Sequence, residues 1–174
     1  MGEEPSLEGD VIVSTLVSGI FPTRESAEQA IGRLYDAGFA PEDVSILMSD
    51  NTHGREFAVQ KSSKAPEGAA TGAAVGGVLG AAALGFAALG TLAVPGLSIA
   101  ASGPLVAALT GLGAGAAAGG LTGALVGLGI PEHEAKFYKQ EIDRGGILVG
   151  IYAHNDRKQD ARRILEDSGA TETT

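Results

Sequence analysis

The side chains best suited to catalysis or metal binding are sparse in this chain and far apart. His53, His133 and His154 form no His-x-His or His-Glu-x-x-His pair, so no local zinc-type ligand set is spelled out. There is no cysteine, which removes disulfides, thiolate metal sites and cysteine nucleophiles. The neighbouring carboxylates Glu42 and Asp43 follow Pro41 and suit a turn or cap better than acid–base work. The run Gly113-Ala114-Gly115-Ala116-Ala117-Ala118 fits the loose dinucleotide pattern G-x-G-x-x-G/A. No strand pattern precedes it, and it sits inside a low-complexity stretch, so the phosphate-cradling turn is not expected there. Arg157, Lys158, Arg162 and Arg163 cluster near Asp160, Glu166 and Asp167. That mixture reads as a solvated helix face; the sharper alternative is a contact for anionic headgroups or an acidic neighbour. The expectation is therefore a chain without catalytic residues, metal site, cofactor or small-molecule substrate.

Composition moves attention to a different part of the molecule. The 174 residues include 12 basic and 21 acidic side chains, a net charge of −9 that disfavours a phosphate-neutralising nucleic-acid binder. The charges are confined to two flanks: residues 1–67 carry 12 acidic and 5 basic groups, and residues 131–174 carry 9 and 7. Between Glu67 and Glu132 there is no charge at all, and the 63 residues 68–130 contain 17 Gly and 19 Ala. A polar protein surrounds a long, uncharged, small-residue insert.

Within the insert, Gly68, Gly72, Gly76 and Gly80 recur every four residues, as do Gly111, Gly115, Gly119, Gly123 and Gly127. On a helix that spacing lines one face and lets a second backbone approach closely. These nine glycines are the candidate helix-packing and oligomerisation residues. Val94-Pro95-Gly96 and Ser102-Gly103-Pro104 bracket a turn, which predicts a helical hairpin with arms near residues 68–92 and 104–129. Each arm exceeds the roughly 20 residues that cross a hydrocarbon core. Nine glycines cost about 9 kcal/mol against alanine in a water-exposed helix, so the hairpin needs lipid or dense protein burial around it. Membrane embedding is the leading expectation, and tight soluble self-assembly the alternative. A disordered linker fits poorly with the strict glycine register and the scarcity of Ser and Pro. Lys61 and Lys64 before the insert, with Lys136 and Lys139 after it, give a weak positive-inside signal.

The flanks must hold this insert in place. Residues 11–17 alternate as a strand, and residues 24–37 read as a helix with Thr23 as N-cap and Gly38 as the stop. Val44, Ile46 and Met48 alternate with Ser45, Leu47 and Ser49 in a second strand, whose chain direction should match the first if the two share a sheet. Residues 51–67 read as a linker. After the insert, Pro131 opens a helix that ends near Gly145-Gly146, and Ile147, Val149 and Ile151 mark a third strand. Asn155 or Asp156 should cap a last helix over residues 157–167, closed by Gly169. The predicted organisation is a disordered N-terminus at 1–10, a βαβ half at 11–50, the hairpin at 68–130, an αβα half at 131–170 and a tail at 171–174. Neither half has enough apolar surface to fold alone. Together they predict an α+β class: a small ferredoxin-like sandwich, helices on one sheet face, split by the Ala/Gly-rich hairpin. The other face, with Ser14, Leu16, Ser45, Leu47, Leu148 and Tyr152, is half apolar and could meet solvent, a partner, the insert or a small ligand.

No secretory signal is read in the acidic start MGEEPSLEGD, and Leu7 stands where a myristoylation motif would carry Ser or Thr. Three segments, VSGIFPTRESAEQAIGRLYDAGFAPEDVSILM, GAATGAAVGGVLGAAALG and GIPEHEAKFYKQEIDRGGILVGIYA, together resemble bacterial general stress, heat-induced or low-temperature-induced proteins. The resemblance spans about residues 11–170 and carries no catalytic motif. It implies a stress-associated bacterial protein that touches or enters the membrane, with no assigned activity. Joined to the glycine spacing and the hairpin, the expectation is a non-enzymatic protein that self-associates and touches lipid, anchored at the cell membrane with its flank domain in the cytoplasm, or otherwise cytoplasmic.

Overall fold

A computed structural model of the chain describes residues 14–57, 90–94, 97–111 and 113–174. In chain order the elements are β1 (Ser14–Phe21), α1 (Arg24–Asp36), a 3-10 turn (Pro41–Asp43), β2 (Val44–Ser49), α2 (Asp50–Phe57), β3 (Gly90–Val94), β4 (Leu97–Ser102), α3 (Pro104–Gly111), α4 (Gly113–Gly127), α5 (Glu132–Asp143), β5 (Ile147–His154) and α6 (Lys158–Asp167). The class is α+β: a five-stranded antiparallel sheet in the order β1-β5-β2-β4-β3, with helices packed on it. β5 runs antiparallel to both β1 and β2, so those two are parallel to each other with β5 between them.

Local signals account for much of the frame. Thr23 caps α1, its Oγ1 accepting from the Ser26 backbone N–H at 3.3 Å, and α1, α5 and α6 stop at Gly38, Gly145 and Gly169. β1 continues past the expected end at Val17 because its pairing with β5 runs on until Phe21 lies opposite Ile147. The last helix begins one residue late and without a side-chain cap from Asn155 or Asp156; Asn155 instead accepts from Thr15 Oγ1 at 3.2 Å. Residues 171–174, expected as a tail, lie along the outer edge of β1, with Thr171 N–H donating to Ile20 O at 2.9 Å and Thr174 N–H to Ser18 O at 3.0 Å.

The sheet has two apolar faces and two covers. On one, Val17, Phe21, Ile46, Met48, Val149 and Ile151 meet Ala27, Ile31 and Leu34 of α1 with Ala161 and Leu165 of α6. On the other, Ile20, Leu47 and Leu148 meet Ala135, Tyr138 and Ile142 of α5, Leu109 of α3, and Leu121, Ala124 and Leu125 of α4. The expectation that all the flanking helices share one face is corrected: α5 lies opposite α1 and α6. Of the roles left open for the second face, the insert takes the largest part.

The insert itself differs from the predicted helical hairpin. β3 and β4 pair antiparallel, with Val94 opposite Leu97, and β4 pairs with β2 so that Leu47 faces Ala101 and Met48 faces Ala100. The backbone groups on the open side of β2 need partners, and this pairing supplies them. The second arm is two helices, of 8 and 15 residues, and Gly120 inside α4 is non-helical at φ 57°, ψ −145°. The expected linker also begins as a helix, α2. The N-terminus at 1–10, the linker beyond Phe57, the first arm up to residue 89 and its glycines Gly68, Gly72, Gly76 and Gly80 lie outside the described residues.

Gly103 ties the insert to the sheet. Its φ is +77°, and a Cβ there would lie 2.2 Å from the Val44 carbonyl oxygen and 2.9 Å from Ser45 Cα. The approach lets Ser45 Oγ accept from the Leu105 N–H at 3.1 Å, serving one of the unpaired donors at the start of α3. Gly38 has a similar φ of +84° but open space around it. Gly38→Ala should therefore cost about 1–2 kcal/mol, the left-handed penalty alone. Gly103→Ala should cost about 3 kcal/mol or more, because collision with β2 adds to that penalty. Denaturant midpoints of the two variants check the difference, and equal losses would mean that the β4–α3 turn does not press on β2.

Candidate functional site

The glycines that the sequence marks out lie on α3 and α4. Gly111 ends α3; Gly115 and Gly119 precede the break at Gly120, and Gly123 and Gly127 follow it. The five therefore do not form one uninterrupted row. From Gly119 onward the helix has two distinct sides. Leu121, Ala124 and Leu125 are buried against Ile20, Leu47, Leu148 and Tyr138. Gly119 and Gly127 are exposed, Gly123 is half-buried, and Val126 stands between them at 41% exposure. Val126 is the one large hydrophobic residue exposed among the described residues. A Cβ added at Gly119 would meet none of the described residues within 4 Å, so none of them uses the close approach that this glycine permits.

A groove opens where α4 ends. About 230 Å³ in volume, it is bounded by Leu16 and Tyr152, which are opposite each other on β1 and β5, and by Leu128, Gly129 and Ile130. Ser14 and Thr15 line the same groove and, besides the contact to Asn155, Ser14 Oγ lies 3.4 Å from Nδ1 of His154. Burial raises the Tyr152 phenol above its ordinary pKa of 10.0, so the group is a neutral donor in water at physiological pH. Of the residues expected on a ligand-facing sheet surface, Leu16 and Tyr152 are in the groove, whereas Leu47 is fully buried beneath the insert.

Beneath the second face, Tyr138 is fully buried. Its hydroxyl lies 2.8 Å from Thr174 Oγ1 and 3.4 Å from both the Ser18 hydroxyl and the Ser18 carbonyl, and Thr174 in turn donates to Glu134. Among the described residues the cluster pairs the Ser18 hydroxyl with this phenol. It joins α5 to β1 and to residues 171–174. Sequence reading passed over Tyr138, although its position on the inner side of an amphipathic helix was the available signal.

No family model, curated protein or solved structure matches this chain. The other candidate groups are placed apart. His53 lies on α2, His133 in the first turn of α5 and His154 at the end of β5. Among the described residues no three His, Asp or Glu side chains converge as a metal site. The G-x-G-x-x-A run opens α4 directly after α3, not after a strand. The three arginines of the basic cluster on the last helix are engaged within the chain. Arg157 donates to Ala37 O at 2.6 Å and Gly38 O at 3.3 Å while its guanidinium lies 4.0 Å from the Phe39 ring centroid, closing the end of α1. Arg162 pairs with Glu166 at 3.2 Å, and Arg163 with Asp160 at 3.8 Å. Lys136 and Lys139 pair with Glu132 and Asp143 at 2.7 and 2.6 Å.

Tyr138→Phe should cost about 1–2 kcal/mol by leaving buried Ser18 with fewer partners. Burial raises the Tyr138 pKa despite the lowering contacts from Ser18 and Thr174. The unfolded chain thus ionises first, so the contribution is intact below pH 10.0 and is lost as pH climbs through the folded-state value. Chemical denaturation at pH 8 and at rising alkaline pH checks both; a wild-type and variant pair that declines in parallel would remove Tyr138 from the alkaline transition.

Proposed function

We propose that this chain is a non-enzymatic protein that self-associates through the small-residue face of its insert. The observation that supports the reading most directly is the two-sidedness of α4: leucines locked on the chain's own sheet, with Gly119, Val126 and Gly127 turned outward. Glycine on an exposed helix face costs about 1 kcal/mol against alanine, a cost that close contact with another backbone offsets. The resemblance to bacterial stress-associated proteins favours a stress response as the setting for such an assembly.

The core behind this face is, in our reading, ferredoxin-like. The succession β1-α1-β2-β5-α6, followed by residues 171–174 on the outer edge of β1, supports it, as does the packing of α1 and α6 on one face. On that reading the interruption spans residues 50–146 and is longer than the glycine-rich stretch alone. Its helices cover the face that a bare sandwich leaves open.

A second reading, membrane association with the α+β domain in the cytoplasm, is favoured by the absence of any charge over residues 68–130. Among the described residues no helix is long and apolar enough to cross a membrane, so that reading rests on the part of the insert outside them.

Gly119→Leu separates assembly from folding, since a Cβ at this exposed position meets none of the described residues within 4 Å. Light scattering after size exclusion should find an oligomer for the wild type and a smaller species for the variant, with unchanged far-UV circular dichroism. A monomeric wild type, or an unaltered oligomer in the variant, would sink the proposal. Fractionation without detergent decides between the readings: a discrete soluble particle supports assembly in water, and recovery with the bilayer supports the second.

A further inference from the structure

One end of the sheet brings together three arginines that are distant in sequence. Phe21 closes β1 opposite Ile147 at the start of β5, so the residues just beyond them, entering α1 and leaving α5, are neighbours. A cavity of about 160 Å³ lies there, lined by Thr23, Arg24, Arg55, Arg144 and Gly145. Arg24 is at the start of α1, Arg55 on α2 and Arg144 at the end of α5.

We propose that this cleft binds a phosphate group. Each guanidinium is steered by its surroundings. Arg24, only 20% exposed, is held by Glu28 at 2.6 Å, and Arg144 is paired with Glu141. Arg55 lies over the turn after α5, where a Cβ on Gly145 would be 3.1 Å from its Nη2. A guanidinium carries five N–H donors in a planar fork, so partners within the chain orient it without exhausting it. Three such forks around one space match the several acceptor oxygens of a phosphate better than the single plane of a carboxylate. Thr23 and Arg24 also bring the first turn of the 13-residue α1 to the cavity wall, adding the positive end of a helix dipole. The bland alternative is three solvated surface arginines. It leaves unexplained why residues 24, 55 and 144, in a chain with a net charge of −9, converge on one cavity. The volume is below the roughly 300–1,000 Å³ of sites that enclose whole small molecules, so the cleft takes a phosphate ion or the phosphate end of something larger. This site is independent of the α4 face.

The experiment uses the full chain in phosphate-free buffer, titrated with inorganic phosphate while chloride holds the ionic strength constant. Calorimetry should give saturable binding, and Tm should rise with phosphate. Arg55→Gln with Arg144→Gln should weaken binding roughly tenfold or more, whereas Arg163→Gln, whose partner is Asp160 on α6, should leave it unchanged. Arg55 is exposed and the Arg144 side chain is 68% exposed, so the double variant should keep its far-UV circular dichroism. If it does not, Arg55→Gln alone serves as the test. Vesicles of phosphatidylcholine with or without phosphatidic acid distinguish the source of the phosphate. Flotation that needs phosphatidic acid and is lost in the double variant indicates a lipid headgroup; phosphate binding without flotation indicates a soluble ester. The proposal is overturned if phosphate does no more than chloride and no flotation occurs, or if the arginine variants respond as the wild type does.

Discussion

β5 is apolar on both sides, and most of the architecture follows from that. Ile147, Val149 and Ile151 point to one face while Leu148 points to the other, and β2 repeats the arrangement with Ile46 and Met48 against Leu47. A sheet with one apolar face can leave the other in water; this one cannot. α1 and α6 satisfy the first face. The second is too wide for α5 alone, which creates a demand that the Ala/Gly-rich stretch meets. Burying Leu105, Leu109, Leu121 and Leu125 stabilises the structure by about 6–12 kcal/mol, against about 7 kcal/mol for the seven glycines of α3 and α4. Burial offsets that cost, which explains how a segment of poor intrinsic propensity is helical between two charged flanks. Gly103 sets the geometry of that docking, since only a residue without Cβ brings α3 down onto β2.

What was legible in the sequence is what local periodicity and turn chemistry encode. Val44 to Ser49 alternated, Ala27, Ala30, Ile31 and Leu34 recurred at helical spacing, and Thr23 and Gly38 marked the ends; all are where those patterns put them. What was not legible depends on neighbours distant in the chain. Gly90–Val94 and Leu97–Ser102 are strands because β2 has an edge to fill, and Ala and Gly carry too little preference to announce it. Asp50–Phe57, with Thr, His and Gly in its sequence, has the composition of a loop yet is helical. The candidate glycines were visible as a spacing, but the break at Gly120 and the side that α4 buries are set by contact with the sheet. The arginine cleft had no sequence signature at all, since its members are joined only by the pairing of β5 with β1 on one side and β2 on the other.

The outer side of α4 poses a sharper question than its inner side. An exposed helix face in water is made most cheaply from Glu, Lys, Gln or Ala, residues of high propensity that also keep the surface soluble. At Gly119, Gly123, Val126 and Gly127 the chain instead carries three of the weakest helix formers and one β-branched apolar side chain, with no charge anywhere between Glu67 and Glu132. Packing on the sheet does not require these choices, because Leu121, Ala124 and Leu125 already supply that contact. Among the described residues, nothing packed on this outer side of the helix offsets the stability it loses there. Small residues without charge suit a surface that another backbone approaches closely, and they suit water poorly. The composition that first suggested a span of the bilayer thus divides in two: contact with the sheet accounts for the leucines, and it does not account for the glycines of the opposite face.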